Sequence, residues 1–350
     1  MKKLFKIVCL LVCLILIPTT VGCSSKWDTT YYQHMGTLVT INVKGQTVSG
    51  TQTQLDIFKF LSDLDEEIST SLDTSYVKKF NDEKKDNLVY FSDQAFMLLD
   101  EMIYFYQNVS DKFNPLVYPL VDLWQMSPSK YGGFFEIPSE LDIQNTLSLT
   151  FTSNLSIDYK NKAVMKRNDG VMLDFGGIAK GYATEEIKKI LDKIGTTDGY
   201  ISLGGSSIYV YSVPDYLGVT HPRNTSSQIL RIKPDSVNNK YVSTSGDYQR
   251  FYIKNNKRYS HVINPSTGRP VDTGFSSITV VGVDGSFADM LSTALMSFEY
   301  EKLSNILKMG INDYDVYAVY CKDGVNEILT NKKQGKDFTL LDDGYTVKEF

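Results

Sequence analysis

The chain switches between segments whose apolar residues recur every three or four positions and segments that alternate every second residue, the two periods that separate helices from half-buried strands. Tyr31 to Val43 reads as a strand interrupted at Met35-Gly36. From Thr51 to Ile68 the residues Leu55, Phe58, Leu61, Leu64 and Ile68 return at helical spacing, and Phe96, Leu99, Ile103 and Tyr106 do so between Ser92 and Val109. Ser139-x-x-Asp142 behind Pro138 marks another helix start. Val171 to Asp174 reads as a short strand running into Gly176-Gly177. A helix is expected over 178–194, with Ile187, Ile190, Leu191 and Ile194 on one face and Gly195 as its stop. Tyr200 to Leu203 is a strand ending at Gly204-Gly205. Strands around Tyr241, Phe251 and Ile278, a helix over 287–297 and a hairpin turning at Asp323-Gly324 complete the pattern. Strands and helices mix without a regular βαβ rhythm, which predicts an α+β fold with mixed, largely antiparallel sheets and packed helices. No repeat or long linker divides residues 31–350, so they are read as one domain.

The first residues change the picture of where the chain works. Met1-Lys2-Lys3, an apolar run from Ile7 to Ile17 and small residues up to Gly22 have the layout of a secretory signal, and the run is shorter than the roughly 20 residues a span needs. Cys23 directly after Gly22 resembles a bacterial lipobox, which implies residues 1–22 as a lipoprotein signal, Cys23 as the lipidated first residue and 23–30 as a tether. The expected location is the cell membrane, lipid-anchored, on the extracytoplasmic side. Cys9 and Cys13 would leave with the leader, so Cys321 stands alone and is read as a buried strand thiol. The net charge of −5 becomes −8 once Lys2, Lys3 and Lys6 are gone, which argues against a nucleic-acid partner. Three histidines and four cysteines supply a zinc cluster poorly, so any metal is expected to be oxygen-ligated.

Three segments carry candidate chemistry. Leu173 to Tyr182 joins a strand, a glycine pair and a helix start bearing Lys180, a junction where free N–H groups and one ammonium suit phosphate; a plain strand-to-helix turn has the same look. Asp289 and Thr293, four apart, share a helix face and would suit Mg²⁺ held jointly by protein and phosphates, although a helix-dipole carboxylate and a back-bonding threonine give the same spacing. Tyr259 to Gly268 is a strand feeding a Pro-x-x-Gly turn, with His261 placed either to accept a hydroxyl proton or to cap the turn. Val242 to Tyr248 is dense in hydroxyls, including Thr244 and Ser245, and Asp111 to Leu116 forms a rigid aromatic turn.

Taken in order, Met35-Gly36-Thr37, Ser69-Thr70, Phe80-Asn81, Phe113-Asn114-Pro115, Asp174 to Gly181, Leu203-Gly204-Gly205, Thr244 to Asp247, His261 to Gly268 and Asp289 to Thr293 resemble the ApbE-type family of bacterial flavin transferases, the FAD:protein FMN transferases. The resemblance implies an enzyme that passes FMN from its substrate FAD to a threonine or serine hydroxyl of an exported flavoprotein, with Mg²⁺ as cofactor and AMP leaving, in a central cleft. It implies Asp289 and Thr293 as magnesium ligands joined by the Gly177 carbonyl. Met35, Lys112, Phe113, Asn114, Asp174, Lys180 and Ile263 match positions lining the nucleotide; Thr244 and Ser245 join them, and His261 matches the base, with Lys180 offsetting developing charge. The chain departs from the family pattern at Asn114, Asn264, Ser206 and Ser71. The other readings of the same cleft are a Mg²⁺-dependent FAD pyrophosphatase, with water as acceptor, and a flavin- or solute-binding lipoprotein without catalysis.

Overall fold

The computed structural model describes residues 26–213, 215–311 and 313–350; the lipidation expected at Cys23 lies outside them. Nine strands form the principal sheet: β1 (Trp27–His34), β2 (Thr37–Lys44), β3 (Gly199–Leu203), β4 (Ser207–Ser212), β5 (Lys240–Gly246), β6 (Phe275–Gly282), β7 (Asp315–Lys322), β8 (Val325–Thr330) and β9 (Thr346–Glu349). They lie side by side in chain order, every neighbouring pair antiparallel except β8 with β9. The fold is therefore α+β with a largely antiparallel sheet, as the sequence pattern predicts. Everything else is inserted between these strands, the longest insertion separating β2 from β3. Among the described residues no helix is long and apolar enough to cross a membrane.

Strand alternation gives the sheet two apolar faces. On β7, Val316 and Ala318 face the main core, while Tyr317 and Val319 face a second core under a small sheet of Leu217–His221, Asn224–Ile232 and Phe338–Leu340. The main core is covered by α1 (Gln52–Ile68), α2 (Asp93–Asn108), α3 (Ala179–Asp192) and α4 (Gly285–Leu295). A third cluster around Trp124, Phe135 and Ile263 joins the inserted 118–148 segment to the hairpin at 251–260 and to the short pair of Ile263–Asn264 with Arg269–Pro270. There the Trp124 indole donates to the Gly268 carbonyl at 2.7 Å.

Three sequence expectations need correction. In α1 the buried stripe is Ile57, Leu61, Leu64 and Ile68, while Leu55 and Phe58 are exposed. Repeated steps of three drift around a helix with 3.6 residues per turn, whereas the 4-3-4 spacing of the true stripe stays on one face. Val171 to Asp174 pairs with no strand. Instead the Asn81 side-chain amide takes the place of a ladder, donating to the Leu173 carbonyl at 3.0 Å and accepting from its N–H at 2.7 Å. Cys321 does lie on β7 but is only half-buried, its sulfur 2.8 Å from the Tyr345 hydroxyl. Elsewhere the interruption at Met35-Gly36 is the left-handed turn of the β1–β2 hairpin, and Asp284 caps α4 two residues earlier than expected.

The contact that positions the functional residues is between α3 and α4. A Cβ on Gly181 would stand 2.1 Å from the Gly285 carbonyl oxygen, and one on Gly285 would stand 2.7 Å from the Gly181 carbonyl oxygen. Only two glycines let these backbones meet. Gly181→Ala should therefore cost about 1–3 kcal/mol through overpacking, read as a lower denaturant midpoint at constant slope; an unchanged midpoint would contradict this close approach.

Candidate functional site

The Gly181–Gly285 contact fixes a pair of carboxylates. Glu185, four residues after Gly181, accepts from the Gly285 and Ser286 N–H groups at 2.6 and 2.7 Å. Asp289, four residues after Gly285, accepts from the Gly181 N–H at 2.9 Å. Each helix thus lends a carboxylate to the other's N-terminus, where unsatisfied amides and the helix dipole favour negative charge. Burial pushes the Asp289 carboxyl up; Lys180, the Gly181 N–H and the nearby Ser207 and Ser243 hydroxyls pull it back in part.

Beneath Asp289 the sheet is lined with hydroxyls. Ser207 on β4 and Ser243 on β5 are cross-strand partners, both buried. The Ser207 hydroxyl completes no hydrogen bond of good geometry although it lies beside the carboxylate. Two residues along the same face, Ser245 Oγ lies 3.0 Å from Thr293 Oγ1 and 2.9 Å from Ser292 Oγ. Thr244 points to the other face and bonds Thr279 at 2.8 Å. Of the expected hydroxyl pair, therefore, only Ser245 reaches α4.

On the other side of Asp289 stands the glycine turn. Lys180 Nζ is 3.9 Å from Asp289 Oδ2 and 3.4 Å from the Gly176 carbonyl, so a cationic group is already held between a carboxylate and a backbone oxygen. A Cβ on Gly177 would stand 2.6 Å from the Phe113 ring, which brings that aromatic edge onto the turn. Asp174 caps the turn through the Gly176 N–H at 2.7 Å. Its carboxyl is raised by burial against the opposing effects of that bond, Arg250 and Lys180.

The oxygen set suits the ion the sequence implied. Among the described residues no group of three or more His, Cys, Asp or Glu could hold a metal. One carboxylate, neutral hydroxyls including an orphaned buried one, and backbone carbonyls are what Mg²⁺ takes when substrate phosphates complete its shell. Asp289 and Thr293 fit that role from α4, and the carbonyl that shares Lys180 with Asp289 is that of Gly176, one residue before the expected Gly177.

The surroundings of His261 select one tautomer of its ring. Its Nδ1 lies 3.2 Å from the Arg250 carbonyl, which also accepts the His261 N–H at 3.0 Å. A proton on Nδ1 leaves Nε2 with its lone pair. Burial first, then the Arg250 and Lys180 charges, push the imidazole down to about 3 against the favourable pull of that carbonyl, so it is neutral near pH 7. Arg250, which the sequence did not single out, thus bears electrostatically on both His261 and Asp174.

The remaining expected residues are engaged by other parts of the fold. The Met35 N–H donates to both Asp65 oxygens at 3.2 Å, and Met35 itself takes a left-handed φ of 54°. Lys112 reaches the Ser266 hydroxyl, bridging the aromatic turn to the turn after His261. The Asn114 amide is spent within the protein, on the Leu116 N–H at 2.8 Å and the Thr150 carbonyl at 3.0 Å. Ile263 packs in the Trp124 cluster.

Comparison with known proteins places the chain in a family. The ApbE family model matches residues 35–318. The FAD:protein FMN transferase of Klebsiella pneumoniae is 28% identical over 236 residues, 67% of this chain and 71% of that protein. The protein of the same name from Escherichia coli K12 is 25% identical over 263 residues, 73% and 72% of the two chains. The crystal structure of the ApbE protein of Thermotoga maritima aligns with a TM-score of 0.74 at 26% identity, over 84% of this chain and 94% of that one. The flavin transferase ApbE of Vibrio cholerae shares the fold, with a TM-score of 0.71 at 23% identity over 90% and 96%. With the family match running from the Met35 turn through α4 and into β7, the chain belongs to the ApbE family.

Proposed function

We propose that this protein is a FAD:protein FMN transferase that moves FMN from FAD to a threonine or serine hydroxyl of an exported flavoprotein, forming a phosphoester and releasing AMP with Mg²⁺ as cofactor. The name carried by its relatives supports the class of reaction. The observation that carries the reading is the convergence of Asp289 and Thr293 on α4, Ser245 on β5 and Lys180 on α3, with Lys180 bearing electrostatically on both Asp289 and His261. The leader and Cys23 support anchoring by lipid outside the cytoplasm, where the acceptor would be met.

In this reaction the acceptor oxygen forms a bond to the FMN phosphorus while the bond from that phosphorus to the bridging oxygen of the pyrophosphate breaks, and AMP departs with the electron pair. His261 Nε2 takes the hydroxyl proton, and the Arg250 carbonyl holds the ring in the tautomer that can do so. Anionic phosphates arriving beside the imidazole favour its protonated form, which offsets the burial that keeps it neutral in the free enzyme. Lys180 supplies a fixed positive charge next to the glycine turn. Asp289, Thr293 and the Gly177 carbonyl would hold Mg²⁺, which would supply neutralisation of phosphate charge. Phosphoryl-type transfer depends on positioning and charge neutralisation more than on covalent help, which suits a site without a nucleophilic side chain.

Asp289→Asn keeps the shape and the bond to the Gly181 N–H but loses the charge. It should lower Mg²⁺-dependent FMN transfer at least about 100-fold, read by the intact mass of the acceptor, while the circular dichroism stays native; full transfer would remove Asp289 from the metal site. His261→Ala should cost roughly 10²- to 10⁴-fold in transfer with FAD affinity kept, and loss of FAD binding instead would make the histidine a binding residue. A base works only when deprotonated, so with the His261 pKa near 3 the acidic limb of kcat/KM should not appear as pH falls from 8 to 5. A limb near pH 6.5 would contradict the buried, Arg250-facing histidine.

A further inference from the structure

The principal sheet is covered on both faces over most of its width, but not at its first edge. On the face opposite the helices, the second core reaches β4, through Ile208 and Val210; among the described residues none of its members comes from β1, β2 or β3. Trp27, Thr29, Tyr31 and Gln33 on β1 oppose Lys44, Asn42, Thr40 and Leu38 on β2, and Asn42 and Thr40 oppose Tyr200 and Ser202 on β3. Directly opposed residues share a face. The intervening Val39, Ile41 and Val43 point into the main core, so the opposed residues form one outward surface. In it Trp27, Tyr31 and Leu38 are 43, 61 and 49% exposed, three large side chains on one open face rather than scattered singly.

The surface carries no acidic strand residue. Of residues 26–44 only Asp28 is acidic, and it points to the other face, accepting from the Val48 and Ser49 N–H groups at 2.6 and 2.8 Å. The cations at this edge are the exposed Lys26 and Lys44, the latter 5.9 Å over the Trp27 ring and 3.7 Å from Asp198. The chain leading to the edge is short. Since β1 begins at Trp27, the tether expected over 23–30 is confined to 23–26. Four residue steps from Cys23 to Trp27 reach at most about 14 Å. The headgroup layer takes roughly 5–8 Å of that, half the difference between the whole bilayer and its hydrocarbon core. A lipid on Cys23 therefore holds the Trp27 end of the edge strand at the headgroups. Tryptophan and tyrosine favour that zone, with the ring in its apolar part and the polar tip in its wet part, and lysines suit anionic headgroups.

We propose that the open β1–β2–β3 face lies on the bilayer, with Trp27, Tyr31 and Leu38 set among the headgroups, and so fixes the orientation of the protein on its anchor; the inference rests on the lipidated Cys23 proposed above. The helices and Asp289 are on the opposite face of the sheet, the side to which Leu203 and its cross-strand partner Ser207 point. The candidate cleft is thereby turned away from the membrane, towards acceptors on the extracytoplasmic side.

The test uses the mature lipidated protein in vesicles of phosphatidylethanolamine and phosphatidylglycerol whose acyl chains carry bromine, a short-range quencher of tryptophan, near the headgroups. The chain has two tryptophans and Trp124 is buried, so a Trp27→Phe background leaves no exposed indole. In that background Leu38→Trp should lose most of its emission relative to vesicles without bromine and shift to the blue, whereas Leu55→Trp, exposed on α1, should keep both. Leu38 pairs with Gln33, about 20 Å along the strand from Trp27, so its quenching reports the face and not the tether. Adding Tyr31→Glu should restore the emission of Leu38→Trp while the circular dichroism stays native. Emission kept by Leu38→Trp, or lost to the same extent at Leu38 and Leu55, overturns the docked face. A blue shift without quenching, in a protein that sediments as a dimer, gives the face to a second copy and overturns it as well. An intact mass showing no acyl chain on Cys23 removes the anchor itself, and the docked face falls with it.

Discussion

Two glycines in contact set the rest of this site. Because neither Gly181 nor Gly285 carries a Cβ, the N-terminal turns of α3 and α4 come close enough for Asp289 to reach the Gly181 N–H and for Glu185 to reach the first amides of α4. The exchange is reciprocal in both position and chemistry: a glycine, then a carboxylate one turn later, on each helix. Leaving a charge buried without partners costs far more than a pair of amide bonds contributes, so each carboxylate depends on the other helix being in place. The geometry of the proposed metal site is thereby tied to helix packing rather than to a loop.

Charge is managed in the same economical way. Asp289 and Asp174 are both raised by burial, and both are relieved by Lys180 and by an amide of the glycine turn or the helix that follows it. Burial, and behind it the positive charges of Arg250 and Lys180, keeps His261 neutral, which leaves the proposed base free of its proton. An anionic nucleotide would satisfy Lys180 and Arg250 and at the same time raise the basicity of His261, coupling substrate binding to the readiness of the base.

Much of this was legible from local pattern. Asp289 and Thr293 share a helix face by spacing alone, the Gly176-Gly177 turn announces a helix N-terminus, and the nine ordered segments point to the family. Features that depend on tertiary register were not legible. Ser207 joins Ser243 only because β4 and β5 pair in one register. Glu185 looks like an ordinary helix-surface residue until Gly285, 100 positions on, is packed against it. Arg250 matters through its carbonyl and its long-range charge, neither of which leaves a sequence signature. The strand expected at Val171 failed because a side-chain amide, Asn81, can do the work of a neighbouring strand. The stripe on α1 was misplaced because aromatic Phe58, although exposed, covers the hairpin turn by packing edge-on to His34.

The central claim is that Asp289 on α4, held by its bond to α3, is the carboxylate that binds the catalytic ion. Anomalous diffraction from crystals of the protein with FAD and Mn²⁺ replacing Mg²⁺ tests it directly. The account predicts a peak within bonding distance of an Asp289 oxygen and of Thr293 Oγ1, with Lys180 no longer the nearest cation to that carboxylate. A peak bound elsewhere, with Lys180 still facing Asp289, would contradict it.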